Sequence, residues 1–110
     1  MQDCVFCKIR DGIIPSQKLY EDDEMFIIKD IYPKAKLHFL MIPKRHYKLL
    51  ADMTAEDAAA LARSLKRLPQ LAEQLGLQNG FRLVINQGED AVQTVFHLHV
   101  HILGGEKLPV

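Results

Sequence analysis

Three histidines alternate with apolar residues in Phe96-His97-Leu98-His99-Val100-His101-Ile102-Leu103. Imidazole titrates near neutrality, so clustered histidines act as switches, metal ligands or catalysts. Strict alternation is the period of a half-buried strand. The spacing therefore predicts His97, His99 and His101 on one accessible face, with Phe96, Leu98, Val100 and Ile102 on a core face. At about 3.3 Å per residue, neighbouring histidines stand roughly 6.6 Å apart and the outer pair about 13 Å. A zinc ion bound at about 2.0–2.1 Å can be shared by two neighbours but hardly by all three. At least one histidine is left for other chemistry.

Cys4-Val5-Phe6-Cys7 has the spacing of a two-thiolate metal clip. Two cysteines are too few for a disulfide framework, and no βαβ pattern precedes them as a thioredoxin-like motif would require. The alternatives are a zinc site completed by two further ligands, for which the histidines are candidates, or two reduced surface thiols.

The elements that must position these residues follow from pattern. Residues 4–11 read as a helical turn ended by Gly12, and Lys18-Leu19-Tyr20 as a short strand. Met25–Asp30 and His38–Ile42 read as strands, closed by Pro33 and Pro43. Thr54-x-x-Asp57 marks a helix start, after which Ala58, Leu61, Ala62, Leu65 and Leu68 recur at helical spacing up to a stop at Gly76. Pro69 is expected to kink or split that helix. Asn79-Gly80 turns the chain into a strand over 81–86, and about nine residues then lead to the histidine strand. The expected fold is α+β: an antiparallel sheet of about five strands, one main helix on one face and the histidines on the other, as a single domain over residues 1–110.

Composition narrows the function classes. Of 110 residues, 48% are hydrophobic and 25% charged, and 14 Lys+Arg balance 14 Asp+Glu. Zero net charge leaves no footprint for general nucleic-acid or anionic-membrane binding. No stretch approaches a membrane span and no secretory leader is read at the N-terminus, so the expected location is the cytoplasm. The run Glu21-Asp22-Asp23-Glu24 reads as a solvated acidic turn. Lys34, Lys36, Lys44, Arg45 and Lys48 form a local basic group.

The strand pattern His-φ-His-φ-His-φ-φ, where φ is apolar, resembles the signature of the histidine triad family. The likeness extends through Phe6-x-x-Ile9, Ile14-Pro15, Tyr20-Glu21-Asp22-Asp23, Asp30-Ile31-x-Pro33, His38-Phe39-Leu40-x-Ile42-Pro43-Lys44, Asn86-x-Gly88 and Leu103-Gly104-Gly105. Their order and spacing are similar to those of the family's small nucleotide-binding branch from about residue 4 to 105. The resemblance implies a homodimer with one continuous sheet, and a purine nucleoside phosphoramidase or nucleotidyl hydrolase without a catalytic cofactor. Hydrolysis of dinucleoside polyphosphates is an alternative within the family. Outside it stand a zinc-stabilised binding module and a metalloenzyme ligated by His97 and His99.

The resemblance also assigns roles. His99 becomes the nucleophile that is transiently nucleotidylated, His101 contacts phosphate oxygens or the leaving group, and His38 stands behind them. Asp30 accepts from ribose hydroxyls, while Phe6, Ile9, Ile28 and Ile31 line the base pocket. Asn86, Gln93 and Thr94 face the phosphate or leaving group. Bacterial relatives of this kind imply a structural zinc on Cys4, Cys7, His46 and His97, with four protein ligands and no open position. Two departures stand out: Lys36 replaces a common proline, and Ala91-Val92 stand where the family usually has glycines. Valine resists the positive φ that glycine adopts freely.

Overall fold

In a computed structural model, residues 3–110 are described. The chain runs α1 (Val5–Arg10), β1 (Tyr20–Glu21), β2 (Met25–Lys29), β3 (Leu37–Pro43), a 3₁₀ turn (Leu50–Asp52), α2 (Ala55–Leu75), β4 (Phe81–Val84) and β5 (Val100–Gly104). The strands form one antiparallel sheet in the order β1-β2-β3-β5-β4. The α+β architecture expected from the pattern is the one observed.

Strand alternation divides the core between the two faces of this sheet. Met25, Ile27, Phe39, Met41, Val100 and Ile102 meet Leu61, Leu68, Ala72 and Leu75 of α2. On the other face Phe26, Ile28, Leu40 and Ile42 meet Phe6 and Ile9 of α1. β2 and β3 are thus buried on both sides, which is why they read as continuous apolar runs. α1 is too short to persist alone and depends on what holds it to the sheet.

α2 starts at the residue its sequence indicates. The Thr54 hydroxyl accepts from Asp57 N–H, the Asp57 carboxylate accepts from Thr54 N–H at 3.0 Å, and Gly76 ends the helix with φ 80°. The helix nevertheless continues through Pro69 as a single element. Pro69 is exposed, and the buried stripe Leu61-Ser64-Leu68-Ala72-Leu75 passes beside it unbroken. Packing on the sheet outweighs the lost backbone hydrogen bond.

Four other expectations are corrected. The first strand lies at Tyr20–Glu21, and β3 includes Pro43, paired with Met25. The acidic run is a structured corner: Asp22 Oδ1 accepts from Glu24 N–H at 2.7 Å and Met25 N–H at 3.0 Å. Glu24 pairs with Arg63 and Arg67 of α2. The histidine strand is the largest change. β5 begins only at Val100, so 85–99 is a long connection that carries His97 and His99, and Phe96 is 56% exposed. A segment of that length without regular structure is commonly functional.

Asp57 also accepts from Arg45 Nε at 2.5 Å and Nη2 at 2.8 Å, which holds its carboxyl well below the usual carboxylate range. Its stabilising contribution is complete above about pH 4 and fades as pH falls. We expect Asp57→Asn to cost on the order of 1–3 kcal/mol at pH 7. The deficit should shrink when urea denaturation is repeated near pH 2.5.

Candidate active site

All five histidines of the chain lie in one connected string. The His46 and His97 rings are 4.9 Å apart, Phe6 stands between His97 at 5.9 Å and His99 at 5.1 Å, and His101 lies 5.1 Å from both His99 and His38. The sheet register explains one end of the string. His101 pairs with Leu40 in β3, and His38 is two residues from Leu40 on the same face, so the two imidazoles meet diagonally. The remaining histidines are brought in by loops. His46 follows β3, and His97 is held beside it by a Leu98 N–H to Tyr47 carbonyl hydrogen bond of 2.7 Å.

The string has two ends with different chemistry. At one end, His97 Nδ1 lies 3.3 Å from Cys4 Sγ, 3.6 Å from Cys7 Sγ and 3.2 Å from His46 Nδ1, and Cys7 Sγ lies 3.4 Å from His46 Nδ1. A tetrahedral zinc with bonds of about 2.05 Å to nitrogen and 2.3 Å to sulfur has edges of about 3.4 Å (N–N) and 3.6 Å (S–N). The four donors match this frame. The rest of the surroundings fit as well: His97 Nε2–H donates to the Pro43 carbonyl at 2.7 Å, which turns the Nδ1 lone pair toward the thiols. Burial pushes the His97 pKa down to about 4, keeping it neutral as a ligand must be. Burial and the neighbouring Cys4 raise the Cys7 thiol, against the pull of the Arg10 guanidinium.

His97 is fully buried and His99 is 9% exposed, so the expected accessible strip of three is instead one ring turned inward and two facing a cleft. His97 and His99 do not converge on a shared ligand point. His99 Nδ1–H donates to the His97 main-chain carbonyl at 2.7 Å, which leaves the Nε2 lone pair of His99 free.

At the other end, a chain of hydrogen bonds fixes two more tautomers. Lys34 N–H donates to His38 Nδ1 at 3.0 Å, so the proton of neutral His38 is on Nε2. That N–H faces His101 Nδ1 at 2.9 Å and Asp30 Oδ2 at 3.3 Å. His101 Nδ1 therefore accepts, and its own proton sits on Nε2 toward the cleft; Asn86 Nδ2, 3.4 Å away, is itself a donor and does not take that proton. Asp30, His38 and His101 lie close enough to suggest a cation site. The Lys34 amide argues otherwise, because His38 has no lone pair left at Nε2. Two main-chain groups thus set the site: the His97 carbonyl leaves a lone pair on His99, and the Lys34 N–H, through His38, leaves a hydrogen-bond donor on His101.

Burial lowers the pKa of His38 and His99, and His101 is pushed to about 4 by burial and by its histidine neighbours. For His99 the His97 carbonyl and Asp30 pull the other way. All three imidazoles are neutral at pH 7.

These rings open on a cleft of about 820 Å³. Every residue expected at the nucleotide reaches its wall: Phe6, Ile9, Ile28, Asp30, Ile31, Asn86, Gln93 and Thr94, with His38, His99 and His101. Its apolar part is built from Phe6 and Ile9 of α1 over Ile28 and Leu40 of the sheet. Gln93 acts on the loop: its carbonyl oxygen accepts from Gly88 N–H at 2.9 Å and its NH₂ donates to Lys48 and Val95 carbonyls. Val92 adopts the left-handed conformation that its sequence position raised, with φ 57°, and is 72% exposed at the cleft. Such a conformation costs a β-branched residue on the order of 1–3 kcal/mol.

Sequence reasoning missed Ile14, Tyr32, Lys34, Leu40 and Val95 in this wall. Leu40 was reachable, since the period of two places it beside His38. Lys34 acts through its main chain, which side-chain patterns do not register.

A family model for the HIT domain matches residues 11–108. The chain belongs to the HIT family. Protein HitA of Neisseria gonorrhoeae is 46% identical over 104 residues, covering 94% of this chain and 97% of that protein. The crystal structure of a HIT family hydrolase from Legionella pneumophila has a TM-score of 0.89 at 40% identity, covering 97% of this chain and 96% of the other. A zinc-bound histidine triad family protein from Mycobacterium smegmatis has a TM-score of 0.81 at 39% identity, covering 96% and 76%. His97, His99 and His101 are thus the histidine triad of this HIT protein.

Because desolvation and the neighbouring histidines push His101 to about 4, NMR should find its ring unprotonated at pH 6. A free histidine is largely charged at that pH. Full protonation of His101 near pH 6.5 would contradict the buried geometry.

Proposed function

We propose that this HIT protein is a hydrolase that transfers a nucleoside monophosphoryl group from a purine nucleoside 5′-phosphoramidate, or a related nucleotidyl conjugate, first to His99 and then to water. The observation that carries this reading is the pair of fixed tautomers, a lone pair at His99 Nε2 beside an N–H at His101 Nε2. The likeness to a HIT family hydrolase supports the reaction class.

The mechanism follows from those atoms. The Nε2 lone pair of neutral His99 forms a bond to the α-phosphorus as the phosphorus–nitrogen bond breaks. The leaving nitrogen keeps the electron pair of that bond and takes its proton from solvent, while His101 Nε2–H donates a hydrogen bond to the phosphate oxygens or to that nitrogen. Attack leaves the positive charge on the ring of nucleotidylated His99, which the Asp30 carboxylate steadies. In the second step water attacks phosphorus, the electron pair of the breaking His99–phosphorus bond returns to Nε2 as neutral imidazole, and the water proton passes to solvent. In this reading Phe6, Ile9 and Ile28 give the base an apolar slot, and the carboxylate of Asp30, which lines the same cleft, accepts from ribose hydroxyls. Nothing in that slot reads a base edge by hydrogen bonding; the preference for purines rests on family resemblance.

Zinc on Cys4, Cys7, His46 and His97 is part of the proposal, supported by the donor geometry and by the zinc-bound relative. With four protein ligands it supplies structural cross-linking rather than an open coordination position. Zinc on reduced thiols suits the cytoplasm, where we place the protein. Dimerisation is likewise proposed, through pairing of β4, an outer strand of the sheet.

Hydrolysis of adenosine 5′-phosphoramidate should be abolished in His99→Ala and lowered about 10²–10⁴-fold in His101→Ala. In a brief assay with chelator present, before structural metal is lost, the wild type should keep turning over. Turnover by a folded His99→Ala protein would refute the nucleophile. Metal analysis of the purified protein should return one zinc per chain.

A further inference from the structure

His97 takes part in two arrangements at once. Its ring Nδ1 faces Cys4, Cys7 and His46, and its ring Nε2–H is tied to the Pro43 carbonyl. Its own main-chain carbonyl, meanwhile, accepts the His99 Nδ1–H that turns the other nitrogen of His99 to the cleft. The next peptide N–H, from Leu98, is anchored on Tyr47, beside ligand His46. The donor cluster and the hydrogen bond that orients His99 therefore share one residue and one short stretch of backbone.

A second link runs through α1. Cys4 caps this helix, its sulfur accepting from Cys7 N–H at 3.3 Å, and Cys7 lies within the helix. Between them Phe6 packs edge-on against both His97 and His99 and walls the apolar slot with Ile9. Six residues of helix do not hold themselves together, so the position of Phe6 depends on the anchoring of the two cysteines.

We propose that His97 is a positioning residue, through which metal in the Cys4–Cys7–His46–His97 cluster sets the orientation of His99 and the wall of the nucleotide slot. The inference deepens the reading of His99 as nucleophile and of the cluster as a zinc centre, and rests on both. Metal removal then acts at two places. Freed of its ligand bonds, the His97 peptide shifts and His99 divides between its two tautomers, only one of which offers Nε2 as a lone pair. Loosening of α1 withdraws Phe6 and Ile9 from the nucleotide. Loss of bonds of this kind around a site typically changes activity 10–100-fold.

The experiment compares zinc-loaded and zinc-stripped full-length protein, checked for folding by circular dichroism. Histidine-selective ¹⁵N labelling reports the His99 tautomer, and calorimetry with adenosine monophosphate reports the slot; neither readout depends on turnover. The loaded protein should show a single Nδ1–H tautomer for His99. The folded stripped protein should show tautomer averaging, weaker nucleotide binding and a kcat lower by about 10–100-fold. Folded stripped protein with unchanged tautomer and nucleotide affinity would overturn the coupling. If stripping unfolds the chain, the comparison is repeated in trimethylamine N-oxide, which favours compact states. Complete unfolding even there would confine the metal to folding and also overturn the proposal. Whether loaded protein forms a nucleotidyl adduct on His99, read by mass spectrometry, separately tests the nucleophile, so the two failures are distinguishable.

Discussion

A buried neutral imidazole has one donor and one acceptor nitrogen, and burial obliges both to find their complement. This constraint organises the site. The His97 carbonyl can only accept and the Lys34 amide can only donate, so each fixes which nitrogen of the facing ring carries the proton. His99 then presents a lone pair and His101 a proton to the same cleft. Neither property belongs to histidine as a residue type; both are imposed by main-chain groups whose direction is set by the fold.

The sheet makes those directions possible by keeping its two faces separate. Val100 and Ile102 close against α2, and the intervening His101 lies on the face that α1 and the cleft share. α2, with its capping box and its apolar stripe, secures the scaffold and takes no direct part in the site. α1 is the opposite case. It is short and contributes little stability of its own, yet it brings both cysteines and two walls of the apolar slot. An element so placed makes the geometry of the cleft answerable to whatever binds the thiols.

The strained turn at Val92 shows a similar economy in the loop over 85–99. Gln93 spends its amide groups on three backbone partners and leaves the loop little freedom, which is how a β-branched residue can be held at φ 57°. Strain of that kind persists only where neighbouring contacts over-determine the backbone.

Much of this protein was legible before any coordinates. Alternating and helical periods gave the strands, the main helix and its two ends, because burial of apolar side chains acts locally and leaves a repeating mark. The residues expected at the nucleotide by resemblance all reach the wall of one cleft, and the four expected at zinc form a separate cluster. The errors share a cause. Pro69 is tolerated because tertiary packing outweighs a local hydrogen bond. The histidine strand starts late because residues 95–99 answer to the thiols, Tyr47 and Gln93 rather than to a strand partner. By itself the sequence determined which groups are available: five imidazoles, two thiols and a carboxylate at fixed spacings. Only the tertiary structure decided that His97 turns inward, that Lys34 sets two tautomers through its amide, and that His99 faces the cleft with its lone pair. Those outcomes depend on main-chain groups distant in sequence, and a backbone N–H or carbonyl is the same in every residue that has one.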